Sequence, residues 1–289
     1  MTALSNQKTI SKEIRFCGRA LQGGENIEVV CKPSTPGSGI VFLRSDLPSC
    51  DPIRIGEAVI TDGPARRSTI GLNGASIQTV EHFLAALWGL EIDNIIVEIH
   101  GEELPALDGS ASGFLNVLKE AGVKEQEETR HIIKIDEPLS VKDGMSTLSI
   151  VPAEKFSILY HIDYDCPSIG KEAFEIELNG DSFEREIAPA RTFCLKKEAE
   201  ALLAAGFGQG ATMENTLVMD DDGPVGTTLR FPNEPVRHKI LDLVGDLYLL
   251  GVPIVGKVTA ERSGHALNAK MVRKIYERYI ADGQRTDER

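Results

Sequence analysis

Residues 236–258 read VRHKILDLVGDLYLLGVPIVGKV and combine a helix, a short loop and a strand. At 100° per residue, the apolar side chains form one stripe along a helix over 236–250. They are Val236, Ile240, Leu243, Val244, Leu247 and Leu250. Gly251-Val252-Pro253 then favours a loop, and the β-branched residues of 254–258 favour a strand. The stretch therefore predicts an αβ unit with polar residues on the free side of its helix.

An earlier stretch of the chain has the same plan. Residues 87–92, LWGLEI, precede Ile95-Ile96-Val97 in the way that residues 249–253, LLGVP, precede Ile254-Val255. We predict a helix from about Ile77 to Trp88 and a strand over 95–99. The likeness fits an internal duplication and also fits chance, because αβ units are common.

Further strands and helices are predicted around these two units. The predicted strands are 27–31, 39–43, 131–135, 146–151, 156–163 and 173–178, and the predicted helices are 112–121, 195–205 and one that starts near Ala266. The charged run from Lys124 to Arg130 contains no apolar residue and is typical of a linker. We therefore expect two α/β parts, residues 1–124 and 131–289, with a disordered tail from Asp282.

Composition excludes several classes of protein. The chain has 289 residues and a net charge of −13, which argues against nucleic acid as a partner. Its cysteines, Cys17, Cys31, Cys50, Cys166 and Cys194, form no CxxC pair, which argues against a thiolate zinc site. The first residues lack the apolar run of a signal peptide, and no run approaches the roughly 18 residues of a membrane span. We expect a cytoplasmic protein with reduced, mostly buried cysteines.

The polar side of the 236–250 helix carries the first candidate site. His238 and Asp242 are four residues apart and lie one above the other on the same face, within reach of one metal ion. A solvated helix face is the competing interpretation of such a pair. Gly245 argues against it, because a glycine inside a helix costs about 1 kcal/mol and indicates close approach of another group.

His82 lies opposite the apolar stripe of the first predicted helix, and by position alone it fits a solvated histidine. With His238 and Asp242 it completes a set of two imidazoles and one carboxylate. Catalytic zinc sites typically have three protein ligands and one open position for water. Glu81 points a quarter-turn away from His82 and is a candidate base for that water.

Ser263-Gly264-His265-Ala266 supplies another candidate. We expect His265 in a loop just before the last helix, either as an incidental residue or as a proton donor to a leaving amine. Asp246, on the polar side of the 236–250 helix, is placed to favour the cationic form of His265. Arg237 and Lys239 are expected to form the local basic patch that a nucleotide substrate needs on an acidic protein.

Longer motifs accompany these residues in a fixed order. They are QKTI (7–10), TVEH (79–82), DN (93–94), PALDGSAS (105–112), ARTF (190–193), VRHKILD (236–242) and SGHALN (263–268). In this combination the sequence resembles the UDP-3-O-acyl-N-acetylglucosamine deacetylases of lipid A biosynthesis, and the likeness covers nearly the whole chain.

The resemblance implies a zinc-dependent hydrolysis, with one Zn²⁺ per chain held by His82, His238 and Asp242. The implied substrate is UDP-3-O-(3-hydroxyacyl)-N-acetylglucosamine, which is converted to UDP-3-O-(3-hydroxyacyl)-glucosamine and acetate in the cytoplasm of a Gram-negative bacterium. The implied fold is α+β, with two related α/β halves packed as a layered sandwich and helices between the sheets.

The resemblance also implies roles for the surrounding residues. These are Glu81 as general base, His265 as second acid–base group, Asp246 as its partner, Thr192 as a holder of the oxyanion, and Lys239 as a cation near the reaction centre. We expect Asp163 and Tyr164 beside the nucleobase, where the family often has Asp-Phe, and the aromatic face of Tyr164 preserves stacking. Phe193 begins the segment 193–207, which we expect to line the acyl chain.

Two positions depart from the family pattern. The segment 18–24, GRALQGG, replaces the family's Gly-x-Gly-Leu-His-Ser-Gly, so Gln22 stands where the family has histidine. Pro235 replaces an apolar, usually aromatic residue, and proline suits the first turn of a helix.

Two other functions stay open on the sequence. A zinc deacetylase of another acylated amide would share every residue of the metal site. A non-catalytic module that binds a nucleotide or a lipid would keep the pocket and lack Glu81 or His265, both of which are present. The ligand set suits Zn²⁺ and Fe²⁺ alike, and a monomer is compatible with the sequence.

Overall fold

The computed structural model describes residues 5–56, 59–60 and 66–281, and the predicted disordered tail from Asp282 lies outside them. The strands are β1 Asn6–Ile10, β2 Ile14–Arg19, β3 Asn26–Pro33, β4 Ile40–Arg44, β5 Ile53–Arg54, β6 Val59–Ile60, β7 Thr69–Leu72, β8 Ala75–Gln78, β9 Ile95–His100, β10 Val123–Thr129, β11 Ile133–Lys134, β12 Leu139–Asp143, β13 Ser146–Val151, β14 Ser157–Asp163, β15 Lys171–Glu177, β16 Phe193–Leu195, β17 Leu217–Asp220, β18 Gly223–Pro224, β19 Ile254–Val255 and β20 Lys257–Glu261. The helices are α1 Glu81–Gly89, α2 Ser112–Ala121, α3 Gly180–Glu186, α4 Lys196–Ala204, α5 Glu234–Leu247 and α6 His265–Tyr276.

Two five-stranded sheets have the same topology. The first has the order β2-β3-β9-β4-β5 and the second the order β12-β13-β20-β14-β15. In each sheet one pair is parallel, β4 with β9 and β14 with β20, and the other pairs are antiparallel. The shared order favours duplication over chance likeness. On this basis we propose residues 1–124 and 131–289 as the two halves of the chain.

Helices fill the space between the sheets. Helix α1 packs on the first sheet, where the rings of Phe83 and Phe42 lie 6.1 Å apart. Helix α5 packs on β14 and β15, α6 packs on β12 and β13, and α1 and α5 pack on each other. The predicted α+β layered sandwich, with helices between the sheets, is therefore confirmed.

The contact between α1 and α5 depends on Gly245. A Cβ atom at this position would lie 1.9 Å from the carbonyl oxygen of Glu81, far closer than non-bonded atoms pack. Gly245 thus allows the backbone of α1 to approach α5. This close approach was expected, because a glycine inside a helix lowers helix stability and is therefore best explained by a close neighbour. Both helices that carry candidate metal ligands are therefore held at close range.

The first helix begins later than predicted. Ile77 belongs to β8, where it pairs with Ile70 of β7. Thr79 then has a φ of 58°, which turns the chain before α1 begins at Glu81. The spacing of Ile77 and Val80 fits one face of a helix as well as part of a strand, so periodicity alone placed the boundary too early.

The charged stretch 124–130 is a strand and not a linker. Residues 123–129 form β10, which pairs antiparallel with β1 in a two-stranded ribbon. Most of its side chains are exposed, so no apolar alternation marks it. Backbone hydrogen bonds with β1 define the strand, and such bonds leave no trace in composition.

Other predicted elements agree within a few residues. Helix α2 has the predicted bounds, α5 continues into a 3₁₀ turn over Tyr248–Leu250, and the predicted strand 254–258 is interrupted at Gly256. Pro235 lies in the first turn of α5, where its missing N–H is harmless. His265 is the first residue of α6 and not a loop residue. The short helix α3 was not predicted.

All five cysteines are free. Only Cys31 and Cys166 are buried, while Cys17 is exposed, so the expectation of mostly buried thiols is wrong. Within the described ranges, no helix has both the length and the apolar character needed to cross a membrane.

Candidate active site

The packing of α1 on α5 brings the three predicted metal ligands together. His82 from α1 meets His238 and Asp242 from α5, and their potential ligand atoms all lie within 4.8 Å of one another. The Oδ1 atom of Asp242 is 3.4 Å from Nε2 of His82 and 3.3 Å from Nε2 of His238. All three side chains are buried. The face of α1 that was expected to be solvated is therefore the face against α5.

This donor set fits a metal ion. The Oδ1 atom of Asp242 is buried and has no hydrogen-bond partner among the described residues. Nδ1 of His238 lies 3.0 Å from the carbonyl oxygen of Ala190, which can only accept, so Nδ1 carries the proton and Nε2 keeps its lone pair. Two ligands about 2.1 Å from a tetrahedral ion are separated by roughly 3.4 Å. That separation matches the distances between Asp242 and the two imidazoles.

The protonation states of His238 and Asp242 also suit metal binding, whereas for His82 burial lowers the pKa but the hydrogen bond of Asp242 and the charge of Glu81 outweigh burial and raise it. Burial lowers the pKa of His238 to about 4, so its ring is neutral at neutral pH. Burial raises the pKa of Asp242, but its interactions with His238, Lys239 and His82 outweigh burial and hold it well below its usual value. The ammonium of Lys239 donates to Oδ2 of Asp242 at 2.6 Å. Asp242 is therefore an ionised candidate ligand, with one oxygen paired to a cation and the other directed at the imidazoles.

Glu81 begins α1 beside His82 and is buried. Its Oε2 atom accepts a hydrogen bond from the backbone N–H of Ser68 at 3.1 Å. Its Oε1 atom is 3.9 Å from Nε2 of His265. Burial raises the pKa of Glu81 above its usual value, although the charge of His265 opposes this. A carboxylate with a raised pKa is a stronger proton acceptor than an exposed one.

His265 is held by Asp246 as predicted. Nδ1 of His265 lies 2.8 Å from Oδ2 of Asp246, and the side-chain amide of Asn268 donates to the same oxygen at 2.7 Å. Burial lowers the pKa of His265, but the charge and hydrogen bond of Asp246 outweigh it and raise the pKa to about 9. The ring is therefore cationic at neutral pH, and Nε2 carries a proton.

A fully buried ion pair positions the segment 190–192. The carboxylate of Glu234, in the first turn of α5, accepts from the backbone N–H and the Nε of Arg191, both at 2.9 Å. Ala190 supplies the carbonyl that orients His238, and the backbone N–H of Thr192 donates to Gly109 at 2.8 Å. The pair therefore fixes one ligand's carbonyl partner and the predicted oxyanion residue relative to the helix that carries the ligands.

The expected substrate contacts lie next to this centre. The ring of Phe193 is 6.3 Å from the ring of His238 and 5.4 Å from that of Tyr164. The carboxylate of Asp163 is more exposed and lies 3.3 Å from the guanidinium of Arg262. Phe193 therefore connects Tyr164 to the candidate ligand His238, and Asp163 lies next to Tyr164 at the exposed end of β14.

Helix α4 follows Phe193 and has no buried residue. Leu203 on this helix is 51% exposed. The loop after α4 is joined to the first half of the chain by Gln22, whose side-chain oxygen accepts from the N–H of Gly208 at 3.1 Å. The backbone N–H of Gln22 in turn donates to Glu103. Gln22, at the position of the family's histidine, therefore connects the expected acyl-binding segment to the first half.

The expected basic patch does not form. The guanidinium of Arg237 stacks on the rings of Phe174 and Phe231, at 4.0 and 4.4 Å from their centres. It also donates to the carboxylate of Glu186 at 2.9 Å. Because Lys239 is engaged by Asp242, neither cation is free to attract a nucleotide from solvent.

Sequence patterns did not indicate Ser68, Asn268, Arg191 or Glu234 as parts of the site. Each acts through a contact with a residue distant in the chain or through the backbone. Arg191 belongs to the ARTF motif, Asn268 belongs to the SGHALN motif, and Glu234 lies two residues before the VRHKILD motif, but a motif does not reveal which of its members are paired.

Comparisons with known proteins agree along the length of the chain. Residues 7–277 match the family model described as LpxC, UDP-3-O-acyl N-acetylglycosamine deacetylase. Among curated relatives, the UDP-3-O-acyl-N-acetylglucosamine deacetylase of Myxococcus xanthus (strain DK1622) is 41% identical over 274 residues, which cover 93% of this chain and 86% of the relative. The protein of the same name from Anaeromyxobacter sp. (strain Fw109-5) is 40% identical over 273 residues, which cover 93% and 88%.

Proposed function

The chain belongs to the UDP-3-O-acyl N-acetylglycosamine deacetylase family, and from this premise we propose that His82, His238 and Asp242 hold a zinc ion at its reaction centre. The chain is a hydrolase for the deacetylation step of lipid A biosynthesis, and its substrate is UDP-3-O-acyl-N-acetylglucosamine. The family consists of metalloenzymes. The observation that carries the zinc assignment is the buried Oδ1 of Asp242, which lies between two imidazole nitrogens and has no hydrogen-bond partner in the described chain.

When bound, zinc supplies a Lewis acid that polarises the acetamide carbonyl and makes the attacking water more acidic. Glu81 accepts a proton from this water as the water's oxygen bonds to the carbonyl carbon. The N–H of Ser68 donates to Oε2 of Glu81 and thereby orients the carboxylate. The raised pKa of Glu81 strengthens it as a base.

His265 donates the proton that the departing amine needs. Asp246 accepts from Nδ1 of His265, so the proton to be transferred is on Nε2, which lies 3.9 Å from Glu81 and 3.8 Å from Asp242. When the carbon–nitrogen bond breaks, the nitrogen takes this proton and leaves as the free sugar amine. The acetyl group leaves as acetate.

Thr192 and Lys239 stabilise the negative charge that develops on the carbonyl oxygen. The backbone of Thr192 is fixed on both sides, because its N–H donates to Gly109 and its carbonyl accepts from Leu217, each at 2.8 Å. The backbone that carries its hydroxyl is thereby held in place. Lys239 supplies positive charge next to Asp242.

Phe193, Tyr164 and Asp163 contact the substrate beyond the reacting amide. Tyr164 offers an aromatic face to the nucleobase, and Asp163 lies beside it. Phe193 and the exposed helix α4 line the acyl chain. We further propose that the enzyme works in the cytoplasm of a Gram-negative bacterium, in line with its bacterial relatives.

The test is acetate release from UDP-3-O-acyl-N-acetylglucosamine, with and without a chelator. We expect release by the purified chain, loss of release after chelation and recovery on addition of Zn²⁺. The matched substrate control carries a free amine in place of the acetamide and should yield no acetate. Release that persists after complete removal of metal would contradict the zinc assignment.

A further inference from the structure

Ser68 contacts both of the proposed proton-transfer groups. Its backbone N–H donates to Oε2 of Glu81 at 3.1 Å, and its hydroxyl donates to Oδ1 of Asp246. The same hydroxyl oxygen is 3.3 Å from Nδ1 of His265. Glu81 belongs to α1, whereas Asp246 and His265 belong to α5 and α6. Ser68 therefore joins groups that come from the two halves of the chain.

The position of Ser68 is fixed by its own backbone. Its carbonyl oxygen accepts from the N–H of Thr79 at 2.9 Å, and its N–H is held by Glu81. Both partners lie at the entrance to α1, so the serine is attached to this helix on both sides. It is also buried. Its hydroxyl therefore has a defined place relative to Glu81.

Asp246 is oriented by this hydroxyl. Oδ2 of Asp246 accepts from His265 and Asn268, while Oδ1 accepts from Ser68. With donors on both oxygens the carboxylate plane cannot rotate freely. Its orientation determines the direction in which Nε2 of His265 points. A small rotation of Asp246 would consequently move the proton donor relative to the leaving amine.

We propose that Ser68 is a positioning residue for the deacetylation, which aligns the Asp246–His265 pair from the second half with the base Glu81 from the first. This inference rests on the proposed function. Ser68 does not exchange a proton with the substrate. Its hydroxyl holds Asp246, its N–H holds Glu81, and the rigid backbone between them sets the distance between base and acid.

The test is a double-mutant cycle with Ser68→Ala and Asp246→Ala, measured as kcat and KM for acetate release. Because the hydroxyl acts through Asp246, we expect Ser68→Ala to lower kcat roughly tenfold with little change in KM, and to have less than about a twofold effect when Asp246 is already alanine. The zinc content and Tm of each variant are measured in parallel. Ser76→Ala is the matched control, because it removes a serine–carboxylate hydrogen bond, to Glu102, from the β7–β8 hairpin that directly follows Ser68.

Several outcomes would overturn the positioning role of Ser68. Wild-type kcat in Ser68→Ala, or an equal loss from Ser68→Ala in both backgrounds, would overturn the inference. A loss of zinc or a fall in Tm that accounts for the lower kcat would overturn it too, since the serine would then be structural. If Asp246→Ala does not fold, Ser68→Cys, which keeps a weaker donor, should have a kcat between those of serine and alanine. An inactive wild-type enzyme would instead refute the proposed function.

Discussion

Gly245→Ala tests whether the close packing of α1 on α5 controls the chemistry. The added Cβ atom would lie 1.9 Å from the carbonyl oxygen of Glu81 and 2.7 Å from its carbonyl carbon. Non-bonded atoms of this kind rarely approach within about 3 Å. The neighbouring groups are backbone atoms that cannot rotate away, so the two helices must separate by about 1 Å.

Stability and activity should respond differently to this change. Overpacking costs about 1–3 kcal/mol, while replacing a helical glycine by alanine returns about 1 kcal/mol. The free energy of unfolding should therefore fall by only about 0–2 kcal/mol. The atom that is struck belongs to Glu81 itself, next to His82, and a displacement of about 1 Å in such a site can lower the rate about 10²-fold. We expect a large loss of kcat in a protein that is still folded.

The assay compares kcat, zinc content and Tm for the wild type, Gly245→Ala and Gly113→Ala. Gly113 lies in α2, and its added Cβ would lie 2.9 Å from Cβ and 3.0 Å from Cδ1 of Leu107, which is a much milder clash than the one at Gly245 and lies outside the metal site. This control receives the same gain in helix propensity and should keep its activity. Full activity in a stable Gly245→Ala would refute the argument that this glycine sets the geometry of the site.

Three shorter predictions concern the groups around the metal. Glu81→Gln should retain zinc but lose about 10²–10⁴ in kcat, and near-normal turnover of the zinc-loaded variant would remove Glu81 from the role of base. The cation of His265 is lost as the pH rises through its pKa of about 9, so kcat should fall there. Asp246→Asn removes the charge that raises this pKa and should move the falling limb of the kcat–pH profile to lower pH. A falling limb that does not move would exclude His265 as the titrating acid. Glu234→Ala leaves the buried guanidinium of Arg191 without its carboxylate and should lower the free energy of unfolding by about 3–5 kcal/mol; a change below about 1 kcal/mol in chemical denaturation would show that the ion pair contributes little.

Helix α5, which carries two of the three candidate metal ligands, was predictable because several sequence signals coincide in it. An apolar stripe, a proline in the first turn and an i, i+4 pair of His238 and Asp242 all follow from helical geometry. The glycine in the middle also indicated a close neighbour. What the pattern could not supply was the identity of that neighbour, because the contact with Glu81 spans more than 160 positions of the chain.

His82 was identified as a candidate ligand, but its position on the helix indicated exposure to solvent instead of burial. Periodicity placed it opposite an apolar stripe, and for an isolated helix that means exposure to solvent. In the folded chain both sides of α1 are covered, one by the first sheet and the other by α5. The polar side of a buried helix and the polar side of a surface helix look the same in sequence.

The groups that hold the site in place were not predictable for a related reason. Ser68 reaches Asp246 across 178 positions, and Glu234 reaches Arg191 across 43. The first contact depends on how the two halves meet, and the second depends on how the segment 190–192 packs on α5 within the second half. Neither hydrophobic spacing nor a short motif encodes that relation directly.

The most direct measurement of the central claim is a zinc titration of the metal-free enzyme. Acetate release and bound zinc are followed together for the wild type, for His82→Ala, His238→Ala and Asp242→Ala, and for His100→Ala, which alters an exposed histidine of β9. We predict that activity of the wild type and of His100→Ala rises to its maximum at about one zinc per chain, as expected for a three-ligand catalytic site, while the three ligand variants neither retain zinc nor recover activity. Full zinc content in all three ligand variants, or activity that does not follow zinc occupancy in the wild type, would contradict the account.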